Sequence, residues 1–153
     1  MIKALIIDDE KHCCDNLQWQ LQQYCPEIEV VGVCNSAEDG LNQIALKEPQ
    51  LVFLDVEMPD MSGFEMLQIL TEINFDIIFT TAFDQYAIRA IKFGALDYLL
   101  KPIDKDELRE AVDKHLQHAL ELELWTIPLY LTALYSIKEI KNQKSTQESS
   151  LYQ

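Results

Sequence analysis

The chain has 153 residues, a length that suits one domain of ordinary size with a modest extension. Hydrophobic residues make up 48% of it, which is enough for a packed core and argues against a disordered chain. Its 12 Lys and Arg residues stand against 26 Asp and Glu, so the formal net charge is −14. Because so acidic a chain repels phosphate backbones, we expect it to bind nucleic acid poorly by itself.

The sequence predicts a soluble protein of the cytoplasm. No run approaches the roughly 18 consecutive apolar residues that a membrane span requires, and the first apolar run is too short for a secretion signal. The four cysteines lack the spacing of a metal-binding clamp, and they are Cys13, Cys14, Cys25 and Cys34. We therefore expect reduced cysteines that fill apolar positions.

Short apolar runs alternate with longer stretches of helical periodicity. Five runs rich in Ile, Val, Leu and Phe have the length and composition of strands buried on both faces. These runs are Ile2–Ile7, Glu29–Cys34, Leu51–Leu54, Ile77–Thr80 and Tyr98–Leu100. After each run, apolar residues recur every three to four positions, as on the buried face of a helix. The markers of the five faces include Leu17, Leu21, Tyr24, Leu41, Ile44, Phe64, Leu67, Ile69, Tyr86, Ala90, Ile91, Leu108 and Val112.

Residues typical of helix ends agree with these limits. Ser36 and Ser62 suit N-caps, and Glu65 stands three residues after Ser62 as in a capping box. Gly94 lies where the fourth helix should end, and Asp104 precedes the fifth. Five strand–helix units in strict alternation imply a parallel sheet with helices on both faces. The predicted fold class is α/β, doubly wound and flavodoxin-like, (βα)5 with a five-stranded parallel sheet.

The pattern changes after residue 122. Trp125 and Pro128 are predicted to interrupt the last helix, and the sequence of residues 129–140 predicts one more amphipathic helical segment. Residues 141–153 are polar and rich in Ser and Gln. The predicted organisation is a single domain over residues 1–122 and a C-terminal helical and polar linker over residues 123–153.

Carboxylates, a hydroxyl and a lysine follow the ends of four predicted strands. They are Asp8 and Asp9 after the first strand, Asp55 and Glu57 after the third, Thr81 after the fourth and Lys101 after the fifth. Because the carboxyl ends of parallel strands meet at one edge of a sheet, we expect these groups to lie together. Three aspartates in one crevice repel each other unless they share a cation, and partly hydrated oxygen ligands suit Mg²⁺.

Such a site is typical of phosphoryl transfer. A lysine supplies a mobile positive charge for a phosphoryl oxygen, and catalysis there consists mainly of positioning and charge neutralisation. The alternative is structural, since acids that follow a strand often cap helices, and Asp9 or Glu10 suits that role. The joint occurrence at four strand ends favours the phosphoryl-transfer interpretation.

Three segments carry a family resemblance. LIIDDE, LVFLDVEMPDMSGFE and IIFTTAFDQYAIRAIKFGALDYLLKPID resemble the response-regulator receiver family, which has a CheY-like fold. The resemblance covers residues 1–122, and the pattern D-x-x-M-P-x-M-x-G followed by T-A and K-P is highly specific. The stretch TTAFDQYAIRAIKFGALDYLLKPI is similar to the LytTR (AlgR/LytR) subclass, whose receivers precede a DNA-binding output domain.

The resemblance implies a role for each carboxylate. Asp55 matches the residue that accepts a phosphoryl group from the phosphohistidine of a sensor histidine kinase. Asp9 matches a direct ligand of Mg²⁺, together with Asp55 and the backbone carbonyl of Glu57. Asp8 matches the second acid, which acts through a metal-bound water.

It also implies a switch. Thr81 and Lys101 match the residues that contact the phosphoryl group, and Tyr98 matches the aromatic residue that moves inward with Thr81. Pro102 is expected to follow a cis peptide bond. Phe83 occupies a variable position near the hydrolytic water, and its apolar side chain indicates a long-lived phosphoryl group.

The predicted function is therefore that of a phosphorylation-controlled switch in two-component signal transduction, not of a turnover enzyme. We expect a sensor histidine kinase as partner, and transcription control through an output domain beyond this chain. A second copy is expected on the surface of the fourth helix, fifth strand and fifth helix, with Ile91, Lys92, Asp97, Tyr98 and Arg109. His12, His115 and His118 are expected on solvated helix surface.

Three alternatives stay open. The chain is a stand-alone receiver that acts by protein contacts, or a phosphatase of the haloacid-dehalogenase type, in which Glu57 stands at the general-acid offset from Asp55. The third is a receiver-like domain that works without phosphorylation, against which the intact acids argue.

Overall fold

The computed structural model describes the backbone of residues 1–126 and the side chains of residues 1–123. Five strands and five helices alternate along it. The strands are β1 (Ile2–Ile7), β2 (Ile28–Cys34), β3 (Leu51–Asp55), β4 (Asp76–Thr81) and β5 (Asp97–Leu100). The helices are α1 (Lys11–Tyr24), α2 (Ala37–Lys47), α3 (Gly63–Ile69), α4 (Ala87–Lys92) and α5 (Lys105–Thr126). The predicted strands agree with the observed ones to within one residue at each end.

The strands form one parallel sheet in the order β2-β1-β3-β4-β5. β1, β3 and β4 lie in its interior, and β3 is buried along its whole length, as its unbroken apolar sequence predicts. α2, α3 and α4 cover one face, where Phe64 packs on Phe79 and Phe93. The first turns of α5 contact the end of α1 through Arg109, which donates to the carbonyl of Tyr24, and contact the loop after α1 through Glu27. This arrangement confirms the predicted doubly wound, flavodoxin-like fold.

The predicted helix ends are confirmed where side chains cap the backbone. Ser36 accepts a hydrogen bond from the Asp39 N–H, and Ser62 forms a complete capping box with Glu65. Gly94 follows α4 with a φ of 73°, a left-handed conformation that glycine adopts without strain. The Asp104 carboxylate accepts hydrogen bonds from two backbone N–H groups at the start of α5.

The predicted buried faces are partly wrong. Tyr24 and Ile69 are exposed, although the helical period predicts both on the buried face of their helices. Ile91 is exposed as well, which contradicts its predicted place on the buried face of α4 but agrees with its predicted place on the partner surface. His115, expected on solvated surface, is buried, and its Nδ1 lies 2.6 Å from Asp76 Oδ2. Helical periodicity predicts the buried face of a helix only approximately, so a residue at the border of that face is either buried or exposed.

Arg109 also differs from its predicted place on the surface of α4, β5 and α5. Its guanidinium binds both carboxylate oxygens of Glu27 at 2.8 Å and the carboxylate of Asp113. It also donates to the backbone carbonyl of Tyr24. Arg109 therefore belongs to the contact between α5 and the end of α1.

The cysteines lie as predicted. All four are free, Cys14, Cys25 and Cys34 are buried, and Cys13 is half-buried. Burial raises the pKa of the Cys14 thiol to about 11 and that of Cys34 to about 12, so both stay protonated at neutral pH.

The chain divides into two compact units, residues 1–115 and residues 116–153. The first contains the whole sheet. Of the second, the structure describes the continuation of α5 to Thr126. The predicted linker over residues 123–153 lies almost entirely outside the described residues. Among those that are described, no helix has the length and apolar character needed to cross a membrane.

Candidate functional site

The register of the sheet brings the predicted site residues to one edge. Asp55 ends β3 beside Thr80 of β4, and Thr81 ends β4 beside Leu100 of β5. Asp8 directly follows β1, and its N–H donates to the carbonyl of Cys34 at the end of β2. The carboxyl ends of all five strands of the described sheet therefore lie together, as expected for the functional edge of an open parallel sheet.

Three carboxylates converge at this edge. Oxygen atoms of Asp8, Asp9 and Asp55 all lie within 4.8 Å of one another. Asp8 is 3% exposed and Asp55 4% exposed, while Asp9 is half-buried. Two buried carboxylates and a third beside them form a negative pocket with little water to screen it.

Lys101 is the cation of the pocket. Its Nζ lies 2.7 Å from Asp8 Oδ2, 3.3 Å from Asp55 Oδ2 and 3.6 Å from Glu10 Oε1. Burial lowers the pKa of Lys101, but the hydrogen bond to Asp8 and the charge of Asp55 outweigh burial and raise it above its ordinary value. The ammonium is therefore charged at any physiological pH. The peptide bond between Lys101 and Pro102 is cis, as the sequence predicts.

Asp55 is the perturbed acid of the pocket. Burial, with the charge of Asp8 as second cause, raises its pKa to about 7, against the opposing effect of Lys101. The Glu57 N–H donates to Asp55 Oδ1 at 3.3 Å, which favours the charged form only weakly. Lys101 alone thus leaves negative charge uncompensated, and a divalent cation fits this need.

The donors suit Mg²⁺ in particular. Carboxylate oxygens at a partly open sheet edge are hard ligands, and they leave room for the water that Mg²⁺ retains. Asp8, Asp9 and Asp55 offer such oxygens in one place. The predicted backbone ligand, Glu57, follows Asp55 by two residues in the loop after β3.

A hydroxyl and a tyrosine border the pocket on the β4–α4 side. Thr81 is fully buried, and its Oγ1 accepts a hydrogen bond from the Phe83 N–H at 3.3 Å. The hydroxyl of Tyr98, the predicted switch residue, donates to the carbonyl of Phe83. Both side chains therefore contact the backbone of Phe83, so the loop that starts at Ala82 is tied to the end of β4 and to β5.

Gly63 explains the glycine of the motif. Its N–H donates to the carbonyl of Val56, so the start of α3 lies directly over the end of β3. A Cβ atom at position 63 would stand 2.3 Å from the carbonyl oxygen of Asp55. Only glycine fits there without displacing the backbone that holds Asp55.

Two site residues were not foreseen. The Asn35 amide donates to the carbonyl of Asp8 at 3.0 Å, which fixes the backbone between Asp8 and Asp9. The Tyr86 hydroxyl donates a hydrogen bond to Glu57 Oε1 at 2.5 Å. Ionising the phenol would remove this bond, so the pKa of Tyr86 is raised. The sequence signals were an asparagine after β2 and a tyrosine before α4, neither of which indicates a partner.

A parallel (βα)5 sheet with buried acids and a lysine at its carboxyl edge defines the class of this protein. A family model described as response regulator receiver domain matches residues 4–113. The chain belongs to the response regulator receiver family and is a receiver domain of two-component signalling. A second model, described as ferritin-like, matches residues 116–151, which lie mostly beyond the described part of the chain.

Curated relatives support this placement and its subclass. The transcriptional regulatory protein BtsR of Escherichia coli K12 is 41% identical over 129 residues, which are 84% of this chain and 54% of BtsR. The sensory transduction protein LytT of Bacillus anthracis is 38% identical over 117 residues, 75% of this chain and 47% of LytT. These matches confirm the LytTR-type resemblance. The chain spans about half the length of these relatives.

Solved structures agree with the fold. A response regulator receiver domain protein from Clostridium thermocellum is 28% identical and superposes with a TM-score of 0.70, over 80% of this chain and 99% of that one. The response regulatory domain of protein mrkE from Klebsiella pneumoniae is 25% identical with a TM-score of 0.70, over 76% of this chain and 97% of that one.

Proposed function

We propose that the chain accepts a phosphoryl group on Asp55 from a sensor histidine kinase and changes conformation in response. The observation that carries the proposal is the position of the Asp55 carboxylate, buried at the end of β3 with Lys101 Nζ 3.3 Å away and two further aspartates beside it. This combination suits phosphoryl transfer to an oxygen of Asp55, a reaction in which negative charge at that oxygen must be neutralised.

The step follows from these contacts. One oxygen of Asp55 attacks phosphorus, and the bond from phosphorus to the kinase histidine nitrogen breaks. The electron pair of that bond stays on the nitrogen, and because the other ring nitrogen carries a proton, the histidine leaves as neutral imidazole. Lys101 is placed to meet a phosphoryl oxygen and thereby loses part of its hold on Asp8. The buried Thr81 hydroxyl offers a donor at the same edge. Mg²⁺, held by Asp9, Asp55 and the Glu57 carbonyl with Asp8 nearby, supplies charge neutralisation when it is bound.

Asp55 then stores the group instead of turning it over. A haloacid-dehalogenase-type phosphatase would use Glu57 as general acid, yet the Glu57 side chain is bonded to Tyr86. The acid pair Asp8 and Asp9 after β1, with the Thr81-Ala82 and Lys101-Pro102 pairs, also fits a receiver better than such a phosphatase. Phosphorylation without catalytic turnover is therefore the favoured function, with slow hydrolysis governed in part by Phe83.

Intact mass measurement after incubation with acetyl phosphate and Mg²⁺ tests this function. We expect one phosphoryl adduct per chain, absent from Asp55→Asn and absent without Mg²⁺. Asp60→Asn, at an exposed position of the same loop, is the matched control and should be labelled like the parent chain. Release of many phosphates per chain, or labelling of Asp55→Asn, contradicts the proposal.

The output is proposed to lie outside this chain. The relatives named above are about twice as long, and one is called a transcriptional regulatory protein. We propose control of transcription through a LytTR-type output domain, with a stand-alone receiver acting by protein contacts as the second candidate. A cytoplasmic location follows from a kinase partner and DNA output.

Dimerisation is proposed through α4, β5 and α5. Ile88 and Ile91 are 71% and 74% exposed on α4, and Leu100 of β5 is exposed as well. Sedimentation with beryllofluoride and Mg²⁺ tests the surface. Ile91→Glu should abolish dimer formation, whereas Ile69→Glu, an exposed isoleucine on α3, should leave it unchanged. Equal dimer formation by both variants contradicts the proposed surface.

A further inference from the structure

The side chain of Glu57 is held by a tyrosine. Its backbone N–H donates to Asp55 Oδ1 at 3.3 Å, while its carboxylate accepts a hydrogen bond from the Tyr86 hydroxyl at 2.5 Å. One residue thus contacts the phosphoacceptor through its backbone and the start of α4 through its side chain. The loop after β3 and the loop after β4 are joined by this bond.

Packing fixes the tyrosine independently of that bond. The Tyr86 ring meets the ring of Phe64 edge-on at a centroid distance of 6.2 Å, and that of Phe83 at 6.3 Å. Phe64 is fully buried in the core. Because these contacts belong to the ring alone, the position of the hydroxyl does not depend on Glu57, and removing the hydroxyl leaves the ring in place.

The hydrogen bond between Tyr86 and Glu57 lies on the solvent-exposed side of the acidic pocket. Asp9, Glu57 and Tyr86 line the same groove of about 520 Å³ in the loop after β3. Glu57 itself is exposed, so its carboxylate has freedom to turn when nothing holds it. A carboxylate within reach of a water that attacks phosphorus acts as a general base.

We propose that Tyr86 is a positioning residue that holds the Glu57 carboxylate away from the hydrolytic water and so lengthens the life of the phosphoryl group on Asp55. The inference rests on the proposed function of Asp55. In hydrolysis, the water oxygen attacks phosphorus and the bond to the Asp55 oxygen breaks. The electron pair returns to the Asp55 carboxylate, and a released Glu57 takes the proton of the water.

Four chains test this role through the rate of loss of the phosphoryl group at pH 7.5, followed by intact mass after acetyl phosphate is removed. Tyr86→Phe should lose the group about three to ten times faster than the parent chain, a modest part of what a well-placed base supplies. In the Glu57→Ala background, Tyr86→Phe should change the rate less than twofold. Tyr24→Phe, which removes a tyrosine hydroxyl from the end of α1, is the control and should match the parent.

The Glu57→Ala background separates positioning from a structural effect, because a loosened loop would speed the loss of the phosphoryl group with or without the Glu57 carboxylate. A parent-like rate for Tyr86→Phe, or the same acceleration in the Glu57→Ala background, overturns the inference. If the parent chain takes no phosphoryl group, the proposed function fails and this inference with it. If the parent is labelled and Tyr86→Phe matches its rate, only this inference fails.

Discussion

The buried His115 pairs with the half-buried Asp76 at the edge of the sheet away from the acidic pocket, with 2.6 Å between Nδ1 and Oδ2. Asp76 is the first residue of β4, and its N–H donates to the carbonyl of Gln50 just before β3. The pair therefore joins α5 to the amino end of β4. His115 is 4% exposed, so the contact is made in surroundings where an unmet polar group is costly.

His115→Ala is expected to lower the free energy of unfolding by about 2–4 kcal/mol, because it empties a buried volume and leaves Asp76 without this partner. His12→Ala, whose side chain is 80% exposed, should change it by less than about 0.5 kcal/mol. Urea denaturation of the three chains measures both values. Equal stability of His115→Ala and His12→Ala would show that the pair does not join α5 to the sheet.

His115 also marks where prediction from the sequence ends. Strand runs and helical periods predicted the fold, because every element repeats a signal that burial imposes on many residues at once. Five strand–helix units in strict alternation admit few arrangements other than a doubly wound sheet. A single histidine on a helix carries no such repetition, and its place depends on one partner 39 residues away.

The site residues likewise fall into those that the sequence predicts and those that it does not. Asp8, Asp9, Asp55 and Lys101 were predicted together because the chain direction alone brings strand ends to one edge. The contact between Tyr86 and Glu57 was not predictable, since two loops of no regular period set it. The helical period alone gives the wrong side for Ile91, because α4 is only six residues long and so short a period defines no firm face.

Asp55→Asn should stabilise the protein in a pH-dependent manner. The folded-state pKa of Asp55 is raised from 3.8 to about 7, so the folded chain holds a proton that the unfolded chain releases between these values. The contribution of Asp55 to stability therefore falls as pH rises from about 4 to 7. Without Mg²⁺, we expect Asp55→Asn to be more stable than the parent by about 1–3 kcal/mol at pH 8 and nearly equal to it at pH 4.

Urea denaturation of both chains at several pH values, with and without Mg²⁺, measures the difference. Mg²⁺ should reduce it at pH 8, because the cation stabilises the charged parent carboxylate. Asp60→Asn, an exposed neighbour, should show no such trend. A difference between Asp55→Asn and the parent that stays constant from pH 4 to pH 8 contradicts the raised pKa.

Lys101→Met should have the opposite effect. It leaves Asp8 and Asp55 without their cation, and removing one partner of a buried ion pair costs about 3–5 kcal/mol in other proteins. Part of this is recovered when Asp55 takes up a proton, so we expect a loss of about 2–4 kcal/mol at pH 7.5 without Mg²⁺. Millimolar Mg²⁺ should restore most of it.

Lys114→Met is the matched control for this loss. Lys114 Nζ lies 2.8 Å from Asp97 Oδ2, but its side chain is 44% exposed, so the change should cost less than about 1 kcal/mol and should not respond to Mg²⁺. Thermal unfolding with a Mg²⁺ titration distinguishes the two lysines. A Mg²⁺ response of equal size in both variants would mean that Lys101 does not share its site with the cation.

Gly63→Ala tests the backbone under Asp55. The added Cβ would lie 2.3 Å from the Asp55 carbonyl oxygen and 3.0 Å from Leu54 Cγ, so either α3 or the end of β3 must move. We expect a loss of stability of about 2–4 kcal/mol, as for other overpacked positions, and slower labelling of Asp55 by acetyl phosphate.

Gly94→Ala is the control, because no atom lies within 4 Å of its Cβ and the cost comes from a φ of +73° alone. That cost should be about 1 kcal/mol with labelling unchanged. If Gly63→Ala costs no more than Gly94→Ala and labels at the parent rate, close packing of α3 on β3 does not hold the phosphoacceptor in place.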